Sequence, residues 1–121
     1  MLGAMSLVAG FGATEQPELE VLHRAPDDQK RRSAPPLLFI HGAYAGAWCW
    51  DEHFLSWFAA RGFDAYAVSL RGHGHSDSAK PLQHVSLREF VADVRSVVET
   101  MPMDPILIGH SMGGMVIQKY L

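Results

Sequence analysis

The apolar run Pro105-Ile106-Leu107-Ile108, followed at once by Gly109-His110-Ser111-Met112-Gly113-Gly114, constrains this chain more than any other stretch. A short apolar run suits a buried strand, and residues 112–121, with Met115, Val116, Tyr120 and Leu121 apolar and Lys119 polar, suit the start of a helix. One serine therefore stands at a strand-to-helix turn with a glycine two positions away on either side, the G-x-S-x-G pattern of a nucleophile elbow. Such a turn strains the serine backbone and brings strand and helix so close that side chains at the flanking positions would collide. Glycine at 109 and 113 removes those side chains. The turn also aims the Met112 N–H, at the helix start, toward the point where negative charge develops on an attacked carbonyl. A serine hydroxyl is a weak nucleophile by itself, so the arrangement calls for a base and a group that orients the base.

Upstream, the chain alternates strand and helix. Pro36-Leu37-Leu38-Phe39-Ile40 is apolar without alternation, as in a parallel-sheet strand covered on both faces, and it ends at His41-Gly42. Asp51 is expected to cap a helix running to Arg61, with Phe54, Leu55, Trp57 and Phe58 as its apolar stripe and Gly62 as its stop. Residues 63–70 read as a second interior strand. Arg71-Gly72-His73-Gly74-His75-Ser76-Asp77 reads as a loop, braced by Arg71 and Asp77. Residues 86–101 carry the clearest helical pattern, with Ser86 and Glu89 as a capping box and Leu87, Phe90, Val91, Val94, Val98 and Met101 at helical spacing. Residues 18–24 suit a peripheral strand, and residues 25–36, with three prolines, a surface loop. Right-handed crossovers then imply a predominantly parallel sheet with helices on both faces, an α/β class. The expected organisation is a leader over residues 1–17, flexible, and a single domain portion over 18–121.

Composition supports a globular domain: 48% hydrophobic, 19% charged, mean hydropathy +0.01. A net charge of −3 and pI of about 6.1 give no basic field for nucleic acid, and Lys30-Arg31-Arg32 is short enough for a solvated loop. The lone Cys49 forms no internal disulfide and signals neither a metal nor a redox pair; a packed thiol is expected. Residues 1–13 are apolar, with Ala9, Gly10 and Ala13 small as at a signal-peptide cleavage point, but no Lys or Arg precedes the apolar stretch. That stretch is too short to span a bilayer, so a cytoplasmic location is expected, with secretion the alternative.

Phe39-Ile40-His41-Gly42-Ala43, then Leu70-Arg71-Gly72-His73-Gly74-His75-Ser76-Asp77, then Gly109-His110-Ser111-Met112-Gly113-Gly114 occur in this order and at these separations. Together they resemble the α/β-hydrolase fold family, in particular its esterase, monoacylglycerol-lipase-like and lysophospholipase-like members, over residues 36–121. The resemblance implies a serine-dependent hydrolase that acts on a carboxylic ester through an acyl-enzyme. It makes Ser111 the nucleophile, Met112 and Ala43 the backbone oxyanion donors, and His41, Gly42, Gly109, His110 and Gly113 supports of the elbow and its facing loop. It implies a small-molecule ester substrate with an apolar acyl group, and neither cofactor nor metal. A serine at this position argues against dehalogenase and epoxide-hydrolase relatives, which use a carboxylate there, and leaves thioesterases, C–C bond hydrolases and acyltransferases open.

The family also requires a carboxylate and then a histidine downstream of the serine, and no Asp, Glu or His follows Ser111 in this sequence. The expectation is thus the N-terminal part of a hydrolase lacking the triad acid and base, the alternative being a truncated or non-catalytic domain that self-associates through an open sheet edge at Ile106-Leu107-Ile108. His110 is adjacent to Ser111 and on a strand would point to the opposite face; His41 is expected to support the loop rather than serve as base. His73 and His75 form an H-x-H pair without a third ligand at suitable spacing and read as loop residues. Tyr44 and Trp48 are candidates for a substrate pocket, whereas Trp50 is expected to pack.

Overall fold

A computed structural model of the chain describes residues 3–8 and 16–121. Five strands, β1 (Gly3–Val8), β2 (Leu19–Arg24), β3 (Leu37–Ile40), β4 (Ala65–Val68) and β5 (Ile106–Gly109), form one sheet in the order β1-β2-β4-β3-β5. The chain passes from β3 through α1 (Trp48–Asp51) and α2 (Phe54–Ala59) to β4, then through α3 (Leu87–Val98) to β5, and ends in α4 (Met112–Tyr120). β4, β3 and β5 are mutually parallel, with Leu38 opposite Tyr66 on one side and Leu107 on the other.

β3 shows why an apolar run without alternation belongs at the centre of such a sheet. All four of its residues are buried, and successive side chains face opposite layers. Leu38 and Ile40 join Leu19, Val21, Val68 and the buried face of α3 in one core, together with Val116 of α4. Leu37 and Phe39 join Ala65, Ala67, Trp50 and Leu55 in the other, beneath α1 and α2. Burying a side chain of this size contributes about 1.5–3 kcal/mol, so this one short strand helps hold both helical layers to the sheet. β5 lies at the sheet edge and none of its residues is fully buried; Ile106 is 48% exposed.

α3 begins as its sequence predicts. Ser86 Oγ accepts the Glu89 N–H at 3.3 Å, and Glu89 Oε1 accepts the Ser86 N–H at 2.9 Å. The Ser86 N–H, with Lys80 next in importance, holds the Glu89 carboxyl down at about 2. Two polar residues, Asp93 and Ser96, are buried on this otherwise apolar face. Asp93 meets Arg71 of the loop after β4, accepting its N–H at 2.9 Å and its guanidinium at 2.8 and 3.0 Å. Arg71 thus braces its loop through a buried ion pair, while Asp77 braces it through the main chain, its carbonyl accepting the Gly72 N–H at 3.1 Å.

One expectation needs correction. Asp51 does not cap a helix: it ends α1, and its carboxylate accepts Arg24 Nε at 2.9 Å and Nη2 at 3.2 Å. A charged partner on β2 outcompetes the local capping bond, and α2 starts separately after His53 with no side-chain cap. β2, where a peripheral strand is expected, pairs antiparallel with β4, and the three strands joined by helical crossovers are parallel. Within residues 1–17, where a flexible leader is expected, residues 3–8 form β1, paired antiparallel with β2. Ala9, Gly10 and Ala13, the basis of the signal-peptide reading, lie outside the described residues. Among the described residues no helix is long and apolar enough to cross a membrane.

Candidate active site

Ser111 occupies the N-cap position of α4 with φ 55° and ψ −118°. Serine at a helix N-cap ordinarily turns its hydroxyl back onto the first-turn N–H groups. Here it makes no such bond, and the residue is exposed. The positive φ costs on the order of 1–3 kcal/mol and persists because the surroundings dictate it. The His110 N–H donates to Ile40 O at 3.1 Å, and the Gly113 N–H to His110 O at 2.9 Å, tying the turn to the end of β3.

The glycines have separate reasons. A Cβ on Gly113 would lie 2.2 Å from Ile40 O and 2.7 Å from His41 O, so α4 rests on the backbone of β3 at that point. A Cβ on Gly109 would meet the Gly113 carbonyl carbon and the Gly114 nitrogen at 2.7 Å, the collision between strand and helix that the pattern implies. Gly114, by contrast, has open space in that direction. A Cβ on Gly42 would stand 3.2 Å from Ser111 Cβ and 3.3 Å from His110 Nδ1. The loop after β3 therefore faces the turn after β5 at Gly42, with Ala43 the next residue of that loop and Met112 the first residue of α4. No hydrogen bond among the described residues uses the N–H of either Ala43 or Met112.

His41 fixes that loop. The Leu70 N–H donates to its Nε2 at 2.9 Å, which makes Nε2 the acceptor, so Nδ1 carries the proton and donates to Gly42 O at 2.6 Å. Both nitrogens are used and the ring is fully buried, which leaves no lone pair for Ser111. Burial, with a smaller contribution from His73, pushes its pKa down to about 4, against the opposing Gly42 bond. The unfolded imidazole takes up a proton near pH 6.5 and the native one only near 4. Between those values the unfolded chain binds more protons, so the stability His41 confers is present above pH 6.5 and lost as pH falls toward 4. Urea denaturation is expected to show about 2 kcal/mol less stability at pH 5 than at pH 7 from this residue. The His41→Gln variant should lose that part of the pH slope; an unchanged slope would assign it to other groups.

His73 is buried beside this clamp, its ring 4.8 Å from His41 and 6.5 Å from Tyr44, with Nδ1 3.0 Å from Arg71 O. His75 contributes a backbone N–H to Glu20 Oε1 at 3.1 Å. Among the described residues no three His, Cys, Asp or Glu side chains cluster as metal ligands. Tyr44 has φ 63° and is 86% exposed, and Trp48 is also exposed. Trp50 packs on Phe39 with ring centres 5.0 Å apart. Burial raises the Cys49 thiol above its ordinary value, as suits a packed residue. Two surface cavities, of about 370 and 350 Å³, lie away from this turn, near the N-terminal ends of the parallel strands, one beside Arg24 and Ser56, the other beside Pro36, Asp64 and Met103.

A profile described as "Alpha/beta hydrolase family" matches residues 37–121, which contain every feature of this turn-and-loop arrangement. The chain belongs to the alpha/beta hydrolase family. It is similar to a non-heme chloroperoxidase of Streptomyces lividans, 33% identical over 91 residues that cover 74% of this chain and 32% of the relative. It is also similar to a monoacylglycerol lipase of Mycolicibacterium smegmatis, 34% identical over 100 residues covering 77% of this chain and 34% of the relative. Among solved structures, the thioesterase domain from the curacin biosynthetic pathway superposes with TM-score 0.81 at 25% identity, covering 99% of this chain and 40% of that one. This alpha/beta hydrolase chain thus spans about a third of the length of the curated relatives it matches.

Two features of the site had weak sequence signals. Glu20, between Leu19 and Val21 and two positions after Glu18, is only 5% exposed. Ser69, at the end of β4, is fully buried and gave no signal distinct from any polar strand terminus.

Proposed function

We propose that this alpha/beta hydrolase cleaves a small-molecule carboxylic ester with an apolar acyl group through an acyl-enzyme on Ser111. The observation that carries the proposal is the Ser111 backbone: φ 55° withholds the hydroxyl from its own helix and leaves it exposed beside the Ala43 loop. In the proposed step Ser111 Oγ attacks the ester carbonyl carbon and gives its proton to a base. The Met112 and Ala43 N–H groups bind the resulting oxyanion, each contributing about 3 kcal/mol of transition-state stabilisation. The intermediate collapses with loss of the protonated alcohol, and water then releases the acid from the serine ester. A carboxylate at the elbow would instead favour an alkyl-enzyme ester; a hydroxyl suits acyl transfer.

His41 is engaged at both nitrogens, so the base is another group. The family pattern puts the histidine and its carboxylate downstream of the serine. Tyr44 and Trp48, exposed beside the oxyanion loop, are proposed to contact the acyl group. A thioester is the second reading, supported by the likeness to the curacin thioesterase domain, since the same serine chemistry serves it. A fluorophosphonate probe is expected to label the intact protein at Ser111 and to leave Ser111→Ala unlabelled; equal labelling of both would sink the proposal.

A further inference from the structure

The loop that carries Ala43 is pegged at both ends. At its start, Gly42 O accepts the His41 Nδ1–H. At its end, the fully buried Ala47 donates its N–H to Ser69 Oγ at 2.9 Å. The Ser69 hydroxyl donates to Glu20 Oε1 at 2.7 Å, which fixes the O–H direction and leaves the oxygen lone pairs aimed at the Ala47 N–H. The same carboxylate oxygen accepts the His75 N–H at 3.1 Å. Ser76 completes the junction, accepting the Glu20 N–H at 2.8 Å and donating to Ser69 O.

Two glycines allow these segments to meet. A Cβ on Gly74, whose φ is +52°, would lie 2.4 Å from Ser69 Oγ and 2.5 Å from Glu20 Oε1. One on Gly46 would lie 2.8 Å from the Trp48 ring and in ordinary contact, at 3.4 Å, with the Gly74 Cα, so the Ala43 loop passes beside the glycine that covers the Glu20–Ser69 pair. Between the pegs stands Tyr44 at φ 63°, a conformation that persists only where neighbouring contacts dictate it.

We infer that Glu20 is a positioning residue for the oxyanion loop, acting through Ser69 on the Ala47 N–H and so on where the Ala43 N–H points. The inference rests on the reading of Ser111 as nucleophile with Ala43 as an oxyanion donor. Glu20 itself touches no reacting atom. Its effect is on the transition state, where a donor displaced by a fraction of an ångström loses most of its value, rather than on substrate affinity.

The test is turnover of p-nitrophenyl butyrate by the intact protein and its Glu20→Ala, Glu20→Gln, Ser69→Ala and Glu20→Ala/Ser69→Ala variants, with thermal melts alongside. Glu20→Ala and Ser69→Ala are each expected to lower kcat about tenfold with KM within about twofold, and the double variant to fall no further, because the pair acts as one peg. Glu20→Gln keeps an oxygen for both bonds and should stay within about threefold of the parent. An alanine variant with parental kcat, a loss confined to KM, or a Glu20→Gln loss equal to that of Glu20→Ala would overturn the inference. If Glu20→Ala does not fold, Ser69→Ala, which removes a single oxygen, decides by the same criteria. Ser111→Ala separates the two levels: full turnover in that variant removes the nucleophile reading and this inference with it, whereas an inactive Ser111→Ala beside a full-speed Ser69→Ala overturns the positioning alone.

Discussion

Ser111→Ala is expected to lower kcat for p-nitrophenyl butyrate in the intact protein by about 10⁴-fold or more, with little change in KM, because in the proposed mechanism the variant loses the atom that bonds to the acyl carbon. The fold should survive. Ser111 Oγ makes no capping bond and the residue is exposed, so nothing in the core depends on it. Alanine should remain strained at φ 55°, and a stability change within about 1 kcal/mol is expected in urea melts. A residual rate over water is also expected, since the Ala43 and Met112 N–H groups proposed as oxyanion donors are untouched by the substitution. Loss of activity with unchanged melting separates a chemical role from a structural one.

The second large effect lies two residues along. Gly113→Ala should destabilise the protein by about 3 kcal/mol, the upper part of the range for an overpacked site, because the new Cβ meets the Ile40 and His41 carbonyl oxygens at 2.2 and 2.7 Å. Those are backbone atoms of the central strand and its exit, so relief requires α4 to lift off β3. That shift would also move the Met112 N–H, and turnover should fall with stability. Gly114→Ala is the control. It sits in the same first turn of α4 with open space around it, and replacing a helical glycine by alanine should stabilise by about 0.5–1 kcal/mol. Denaturant midpoints of the two variants therefore move in opposite directions. Equal and small shifts in both would contradict the close approach of α4 to β3.

Much of the framework was legible from sequence because its signals are local. The β3 run, the α3 capping box and the β5-to-α4 turn each declare themselves within a dozen residues, and the glycines at 109 and 113 are where the backbones meet. What escaped depended on partners distant in the chain. Asp51 has the composition of a helix cap, but Arg24, 27 positions earlier, takes its carboxylate. The antiparallel course of β2 is set by pairing with β4, which no local pattern encodes. Residues 3–8 resemble a processing segment in composition and pair as a strand only because β2 offers an edge.

The site divides in the same way. Ser111 and its glycines follow from sterics at one turn, whereas the clamp on Gly42 requires the Leu70 N–H, 29 positions after His41, to fix the imidazole tautomer. The buried Glu20–Ser69 pair joins residues 49 apart. The alternation Glu18-Leu19-Glu20-Val21 suggests a solvent-facing Glu20, and no local pattern names the partner that makes its burial tolerable.

The central claim is that Ser111 forms a covalent ester with the acyl group of its substrate. Rapid acid quenching of the intact protein during turnover of p-nitrophenyl butyrate, followed by peptide mass spectrometry, tests it directly. The account predicts a butyryl adduct on the peptide that contains Ser111, absent from Ser111→Ala. An adduct on a different residue, or full turnover by Ser111→Ala, would contradict it.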